Sequence, residues 1–372
     1  MQQDTGPESR REWLSLHLIP GLGSRSFEKL LERFGSPDAV FRAPLREIRS
    51  VKGLPGEVAE RIAKKDWTTD PDEELRKLEH IQGRLVTFMD PGYPRSLRYI
   101  PSPPMVLYLR GKGLEQGQDR IAVVGSRSPT PYGLKTARRL ARDLAAAGLG
   151  VVSGLALGVD AAGHEGALEA GGKTVAVLGT GVDVVYPWTN RRLFSRILEK
   201  GILISEFPLG TPPEPGNFPA RNRIISGLSR GVVVVEAARR SGSLITASMA
   251  LEQGREVFAV PGSVNTMKSA GCHFLLKNGA ALAENAVDVL EALGLEGESG
   301  MRRDGEAGEA VPAAAMTETE ERIWELLGDD PVHIDEITRS ARLSAGEVLG
   351  ILTKMELTGL IEQLPGKFFV RA

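Results

Sequence analysis

A single cysteine, Cys272, occurs among the 372 residues. The chain therefore forms no internal disulfide and no multi-cysteine metal centre, and we expect it to work in a reduced, cytoplasmic setting. Long apolar runs are missing as well, since nothing nears the roughly 20 residues of a membrane-spanning helix. The N-terminal MQQDTGPESRREW is polar where a signal peptide would carry its apolar core. Two nucleotide-binding signatures are also missing. No G-x-x-x-x-G-K-[ST] occurs, and the main strand-to-helix turn reads Gly125-Ser126-Arg127-Ser128-Pro129 instead of G-x-G-x-x-G. Candidate catalytic groups are scarce. Asp160 and His164 would share one helix face, where a cap and a packed ring explain them. Cys272 and His273 are neighbours, which do not face each other on a helix. Glu236 closes an apolar run and reads better as an anchor for loop amides than as a base. No nucleophile, base and orienter come together here, so we expect no catalytic residues, no metal and no cofactor.

Basic and acidic side chains nearly balance, with a net of −2, yet their distribution is uneven. Residues 120–292 carry a surplus of five positive charges and residues 317–372 a surplus of five negative ones. A basic middle permits a nucleic-acid partner. An acidic end argues against DNA reading there and for protein contact.

What is present is organised around residues 121–133, IAVVGSRSPTPYG. Ile121 to Val124 form the short apolar run of a buried parallel strand, and a helical period resumes with Leu134, Ala137, Leu140, Ala141 and Leu144. A strand, a glycine turn and a helix N-terminus expose unpaired N–H groups and so favour an anion. Arg127 adds a fixed positive charge.

In chain order, residues 11–66 read as all helical. Two similar pieces, HLIPGLGSRSFEKLLERFG and IRSVKGLPGEVAERIAKK, each place a glycine hairpin before an amphipathic helix. They resemble paired helix-hairpin-helix (SAM-like) elements, and both packing and contact with a nucleic-acid backbone are open roles for them. A proline-rich connecting region follows, with strand candidates at 84–88 and 106–109. From there strands and helices alternate, with strands at 149–152, 174–178, 202–205, 232–235 and 257–260. This alternation predicts an α/β fold, an extended Rossmann-like parallel sheet covered on both faces. Residues 293–316 are rich in Gly, Glu and Ala and read as a flexible linker. Thr317 and Glu320 have capping-box spacing, and the helices and terminal hairpin beyond them make a winged-helix pattern. The expected domains are thus 1–66 (helical), 67–292 (connecting region and Rossmann core), 293–316 (linker) and 317–372 (winged helix).

Ligands of such sheets sit at the carboxyl ends of the strands. There the sequence places Gly125-Ser126-Arg127, Ser153-Gly154 and Ser241-Gly242-Ser243. Phe218 accompanies Arg221, Asn222 and Arg223 at the start of a helix. Bases stack on aromatic faces while guanidinium groups hold phosphates, so these residues together favour a chain of phosphates. The groove requires Arg127 and Arg223 on the same side of the molecule. Lys173 and the Arg239-Arg240 pair read mainly as solvated surface charge.

The segments VGSRSPTPYG, VSGLALGVDAAGHEGAL, YPWTNRRL, SEFPLGTPPEPGNFPARNRIISGLS, VVEAARRSGSLITA and VFAVPGS resemble the DprA/Smf family of DNA-processing proteins. The likeness runs from about Tyr93 to Leu290. It implies an extended Rossmann fold that binds single-stranded DNA without sequence preference. It also implies RecA loading past single-strand-binding protein, protection of incoming DNA in natural transformation, a homodimer, and no enzymatic activity. By motif match, Gly125, Ser126, Arg127, Phe218, Arg221, Asn222, Arg223, Ser241, Gly242 and Ser243 would form the DNA pocket. Leu157 stands where the family often has a basic residue. Within Cys272–Leu276, the residues Phe274, Leu275 and Leu276 are the candidate dimer contact. Two alternatives stay open: a nucleotide-handling enzyme of phosphoribohydrolase type, whose Pro-Gly-Gly-x-Gly-Thr-x-x-Glu loop is missing here, and a scaffold acting through the acidic winged helix.

Overall fold

The computed structural model describes residues 7–112, 114, 117–295, 317–328, 331–358 and 360–371. The expected linker at 293–316 lies outside the described residues from 296 onward. The chain divides into two compact units, Met1–Met301 and Arg302–Ala372.

The first unit begins with helices α1 (Pro7–His17), α2 (Ser24–Phe34), α3 (Pro37–Arg42), α4 (Leu45–Arg49), α5 (Gly56–Lys64) and α6 (Pro71–His80). Helical spacing puts Phe27 and Leu30 on the buried face of α2, and Val58 and Ile62 on that of α5. The hairpins before these two helices turn on Gly21 (φ 81°) and Gly53 (φ 83°), a left-handed conformation that glycine adopts without steric cost. The two halves lock reciprocally. Lys29 Nζ donates to the Lys52 carbonyl at 2.9 Å, and Arg61 Nη1 donates to the Pro20 carbonyl at 3.0 Å. The internal repeat read in the sequence is therefore a pair that packs on itself. Its core continues into the sheet, where Trp13, Leu14 and Phe27 pool with Val106 and Tyr108.

The sheet is built from β1 (Gly83–Thr87), β2 (Val106–Gly111), β3 (Arg120–Gly125), β4 (Gly150–Ser153), β5 (Thr174–Val177), β6 (Ile202–Ser205), β7 (Gly231–Val235), β8 (Glu256–Ala259) and β9 (Ala281–Leu282). Between them lie α7 (Pro131–Ala146), α8 (Val159–Glu169), α9 (Arg191–Lys200), α10 (Asn217–Gly227), α11 (Gly242–Glu252), α12 (Ala270–Lys277) and, after β9, α13 (Ala286–Ala292). Strand order is β1-β2-β6-β5-β4-β3-β7-β8-β9. From β3 to β9 all pairings are parallel, while β1–β2 and β2–β6 are antiparallel. The connecting region thus supplies two antiparallel strands to the sheet's edge. Alternate side chains of β3 and β7 serve opposite faces, as a pleated strand requires. Val123 and Val233 pack with Leu140 and Leu144 of α7, whereas Val124 and Val234 pack with Ile224 and Ile225 of α10. Burial on both faces explains the unbroken apolar runs.

The second unit comprises α14 (Glu318–Leu326), β10 (Val332–His333), α15 (Ile334–Ala341), α16 (Ala345–Leu357), β11 (Ile361–Leu364) and β12 (Phe368–Arg371). The capping box at Thr317 and Glu320 forms, with Glu320 accepting from the Thr317 N–H at 2.8 Å. Strand order is β10-β12-β11, and Ile323, Ile337, Leu352 and Phe369 fill a core of its own. Three helices and a hairpin make the winged helix that the sequence predicts. The two-residue β10 is too short to carry a sequence period.

Candidate nucleic-acid interface

The chain runs from β3 outward through β4, β5 and β6, then returns to β7 on the other side of β3. That reversal opens a crevice beyond the carboxyl ends of β3 and β7, where α/β sheets bind their ligands. Gly125 ends β3 there, and a Cβ on it would overlap the Val235 carbonyl oxygen. Two backbone bonds hold the turn: Ser126 N donates to the Glu236 carbonyl at 2.8 Å, and Val159 N donates to the Ser126 carbonyl at 3.1 Å. The Glu236 carboxylate accepts from the Thr130 N–H at 2.8 Å and from the Thr130 hydroxyl. Thr130 in turn caps α7, accepting from Gly133 N at 3.1 Å. Glu236 is thus an anchor for the loop, as its position in the sequence suggests.

A groove of about 750 Å³ opens above this crevice. One wall is the Gly125-Ser126-Arg127 turn, and the other is Ser241-Gly242-Ser243 at the N-terminus of α11. The start of α10 closes the end with Phe218, Arg221 and Asn222. Arg127 is exposed, and its guanidinium lies 5.5 Å from the centre of the half-buried Phe218 ring. The Tyr186 ring also lies 5.5 Å from the Phe218 ring, centre to centre, so Phe218 neighbours both a cation and a second ring. Phe218 settles against Gly179, where a Cβ would come within 2.8 Å of the ring. An adjoining recess of about 50 Å³ is shared by Arg127, Tyr186, Phe218 and Arg221, with Gly154 and the exposed Leu157 on its far side.

Arg221 is buried and held in place. Its Nη2 donates to the Gly154 carbonyl at 2.8 Å, and its Nη1 donates to Asn222 Oδ1 at 3.1 Å. A Cβ at 154 would overlap the guanidinium, so any larger residue there would displace Arg221. Burial lowers Arg221 to about 10, opposed by Asp160 and assisted by the charge of Arg127, which leaves it cationic at neutral pH. Asp160 accepts from Gly154 N at 3.1 Å, and burial raises its carboxyl against the pull of Arg221. The sequence reading made Asp160 a helix cap; the structure makes it the brace beneath this arginine.

Two expected groove residues lie elsewhere. Ser153 is fully buried and its hydroxyl donates to the Val123 carbonyl at 2.7 Å, which turns it into the sheet and away from the groove. Arg223 follows Arg221 by two positions, about 200° around the helix, and so leaves the groove. It pairs with Glu206 at 2.5 Å and donates to Ser24 Oγ at 3.3 Å. Arg127 and Arg223 do not share the groove; Arg127, Arg221 and the exposed Arg240 do. Tyr186 and Arg240 are the residues that sequence reasoning undervalued. Tyr186 lies in the quoted YPWTNRRL segment, where an aromatic beside a proline in a loop was the available signal. Of the three dimer candidates, Leu275 belongs to the core, Leu276 is half-buried and packs against it, and Phe274 is 54% exposed. Val264 (84%) and Met267 (76%) are exposed nearby in sequence.

Fold and groove together define a doubly wound α/β protein with a cationic, aromatic-lined groove at its switch point. Residues 84–294 match the DNA recombination-mediator protein A family and residues 307–367 match the DprA winged helix domain, so the chain belongs to the DprA/Smf family. It is 35% identical over 389 residues to protein Smf of Synechocystis, covering 96% of this chain and 98% of that protein. Protein Smf of Escherichia coli is 39% identical over 305 residues, 80% of each chain. The X-ray structure of DNA processing protein A from Streptococcus pneumoniae superposes with a TM-score of 0.69 at 38% identity, over 76% of this chain and 97% of that one. DNA processing protein A of Helicobacter pylori, described for its single-stranded DNA binding mode, superposes with a TM-score of 0.51 at 31% identity, over 57% of this chain and 96% of that one.

Proposed function

We propose that this chain binds single-stranded DNA without sequence preference in the groove at the β3–β7 switch point. The carrying observation is Arg127 over the Phe218 ring, with Tyr186 beside that ring and Arg221 held by the Gly154 carbonyl. Rings stack on any base, and guanidinium groups neutralise consecutive phosphates, so the set holds a strand while ignoring its sequence. The N-terminus of α11, capped by Ser241 accepting from the Ser243 N–H, brings the positive end of that helix to the groove. The S. pneumoniae and H. pylori relatives support the same reading.

The finer reading is a recombination mediator in the cytoplasm, without enzymatic activity, that passes the strand to RecA in the presence of single-strand-binding protein. Family membership supports it. A homodimer through the face bearing Phe274 is part of this reading and is supported by that ring's exposure. The division into domains at 66, 292 and 316 is likewise proposed. A phosphoribohydrolase-type activity has less support, because the Glu236 carboxylate is engaged with Thr130. A mobility-shift titration with single- and double-stranded DNA at two salt concentrations tests the proposal. Stronger retention of the single strand, weakening with salt, is expected; equal or stronger retention of the duplex, or no retention of either, contradicts it.

A further inference from the structure

The groove has a side chamber that sequence-tolerant binding does not require. This recess of about 50 Å³ opens beside Phe218, which borders both it and the groove. Buried Leu155 and Leu178 line it, together with Leu157, which is 43% exposed. Several polar groups along the lining are engaged elsewhere. The Leu155 and Ala156 carbonyls accept from Asn190 Nδ2 at 3.0 and 3.3 Å, and the Gly154 carbonyl accepts from Arg221. The Thr180 hydroxyl lies 3.3 Å from both the Gly181 and the Val184 carbonyl oxygens. Leu157 itself needs a reason. It offers a phosphate no charge where the family often has a basic residue, and its exposure gives it little part in the core.

Size and surface together select what can enter. An apolar cavity of about 150 Å³ takes up a whole benzene ring, whereas a water-sized group needs about 30 Å³. The recess, at about 50 Å³, is near the smaller figure and admits one small group. An amine entering it would give up water for few partners, at a cost, while a methyl group gains by leaving water. Among the DNA bases thymine alone presents a methyl group, at C5 on its major-groove edge. A base stacked on Phe218 brings one edge to the mouth of the recess.

We infer that the recess beside Leu157 seats the C5-methyl group of a thymine stacked on Phe218, so that the groove favours thymine over uracil at one position. The inference deepens the proposed function and rests on it. The preference is small beside the contacts that ignore sequence, so strands of any composition still bind. RNA carries uracil in place of thymine, so the recess also favours DNA at that position.

The test compares oligothymidylate with oligodeoxyuridylate of about 12 nucleotides, which differ only in the methyl groups, by competition anisotropy on the full chain. Burial of one methyl group is expected to make the thymidylate bind about fourfold tighter. Oligomers of 5-methyldeoxycytidine and deoxycytidine are expected to show the same ratio, since the methyl alone distinguishes them. Leu157→Lys removes the apolar wall and Ala156→Leu fills the recess, and each is expected to bring both ratios close to one. Each ratio is taken within one protein, so a variant that binds both oligomers weakly still reports it. Arg127→Ala and Phe218→Ala are expected to weaken both oligomers; unchanged affinities there would mark failure of the groove assignment, which is read separately from the ratio. Equal affinities for thymidylate and deoxyuridylate in the unaltered chain overturn the inference. A ratio that persists in both Leu157→Lys and Ala156→Leu also overturns it, because the gain from the methyl group would then come from stacking alone.

Discussion

Phe218 and Arg127 touch, yet they contribute to strand binding by different physics. Stacking on Phe218 releases no counterions, so Phe218→Ala is expected to cost about 1–3 kcal/mol of affinity while the salt slope stays put. Arg127→Ala is expected to lower that slope by about 0.7, because one phosphate loses its cation. Fluorescence anisotropy with an oligothymidylate across a salt series checks both; identical signatures for the two variants would contradict the division of roles. Asp160 acts one layer down. Asp160→Ala leaves the buried Gly154 amide without its acceptor and Arg221 without its counter-charge. An unfolding free energy lower by about 1–3 kcal/mol in urea is the expected outcome. Residue types at the groove were legible in the sequence because charge and aromaticity need no coordinates. Their direction was less so: α10 buries Arg221, Asn222, Ile224, Ile225 and Ser226 around much of its circumference, so no polar stripe marks which arginine faces the ligand.

The strands carry the same lesson for elements. Runs such as Val232 to Val235 declare themselves because both faces of the sheet are covered, and observed ends differ from expected ones by a residue or so. Orientation does not show in a single strand, so the antiparallel pairing of β1 and β2 was invisible until their neighbours were known. The junction of β3 and β7 is the element on which the groove depends. Gly125→Ala is expected to cost about 1–3 kcal/mol, since the added methyl would force β3 away from the Val235 carbonyl. Urea unfolding measures this, and an unchanged midpoint would contradict the close approach.

At the scale of the molecule, buried histidines tie stability to pH. His17 is held near 4 and His164 near 3, chiefly because burial disfavours the imidazolium. The unfolded chain takes up protons on these rings near pH 6.5, where the folded chain does not. Folded-state pKa values are depressed in favour of the neutral ring, so stability falls as pH drops below about 6.5. The slope approaches about 1.4 kcal/mol per pH unit for each ring. Buried Asp160 and Glu206 have raised carboxyl values and act in the opposite sense as pH falls, so the histidine contribution is read between pH 6.5 and 5 as the difference from a His17→Gln, His164→Gln variant. Denaturant midpoints across that window are expected to fall, and a flat profile would contradict the burial of both rings. The acidic winged helix has its own core and contributes no residue to the proposed strand site. A chain ending at Leu295 is expected to hold an oligothymidylate within about threefold of the full chain, by the same anisotropy titration.

The most direct measurement is photocrosslinking of a 5-iodouracil-substituted single strand, with the attached residues located by mass spectrometry. The account predicts crosslinks at Phe218 and Tyr186, lost in Phe218→Ala together with Tyr186→Ala. Crosslinks confined to residues 317–371, or to the helices before Gly83, would contradict it.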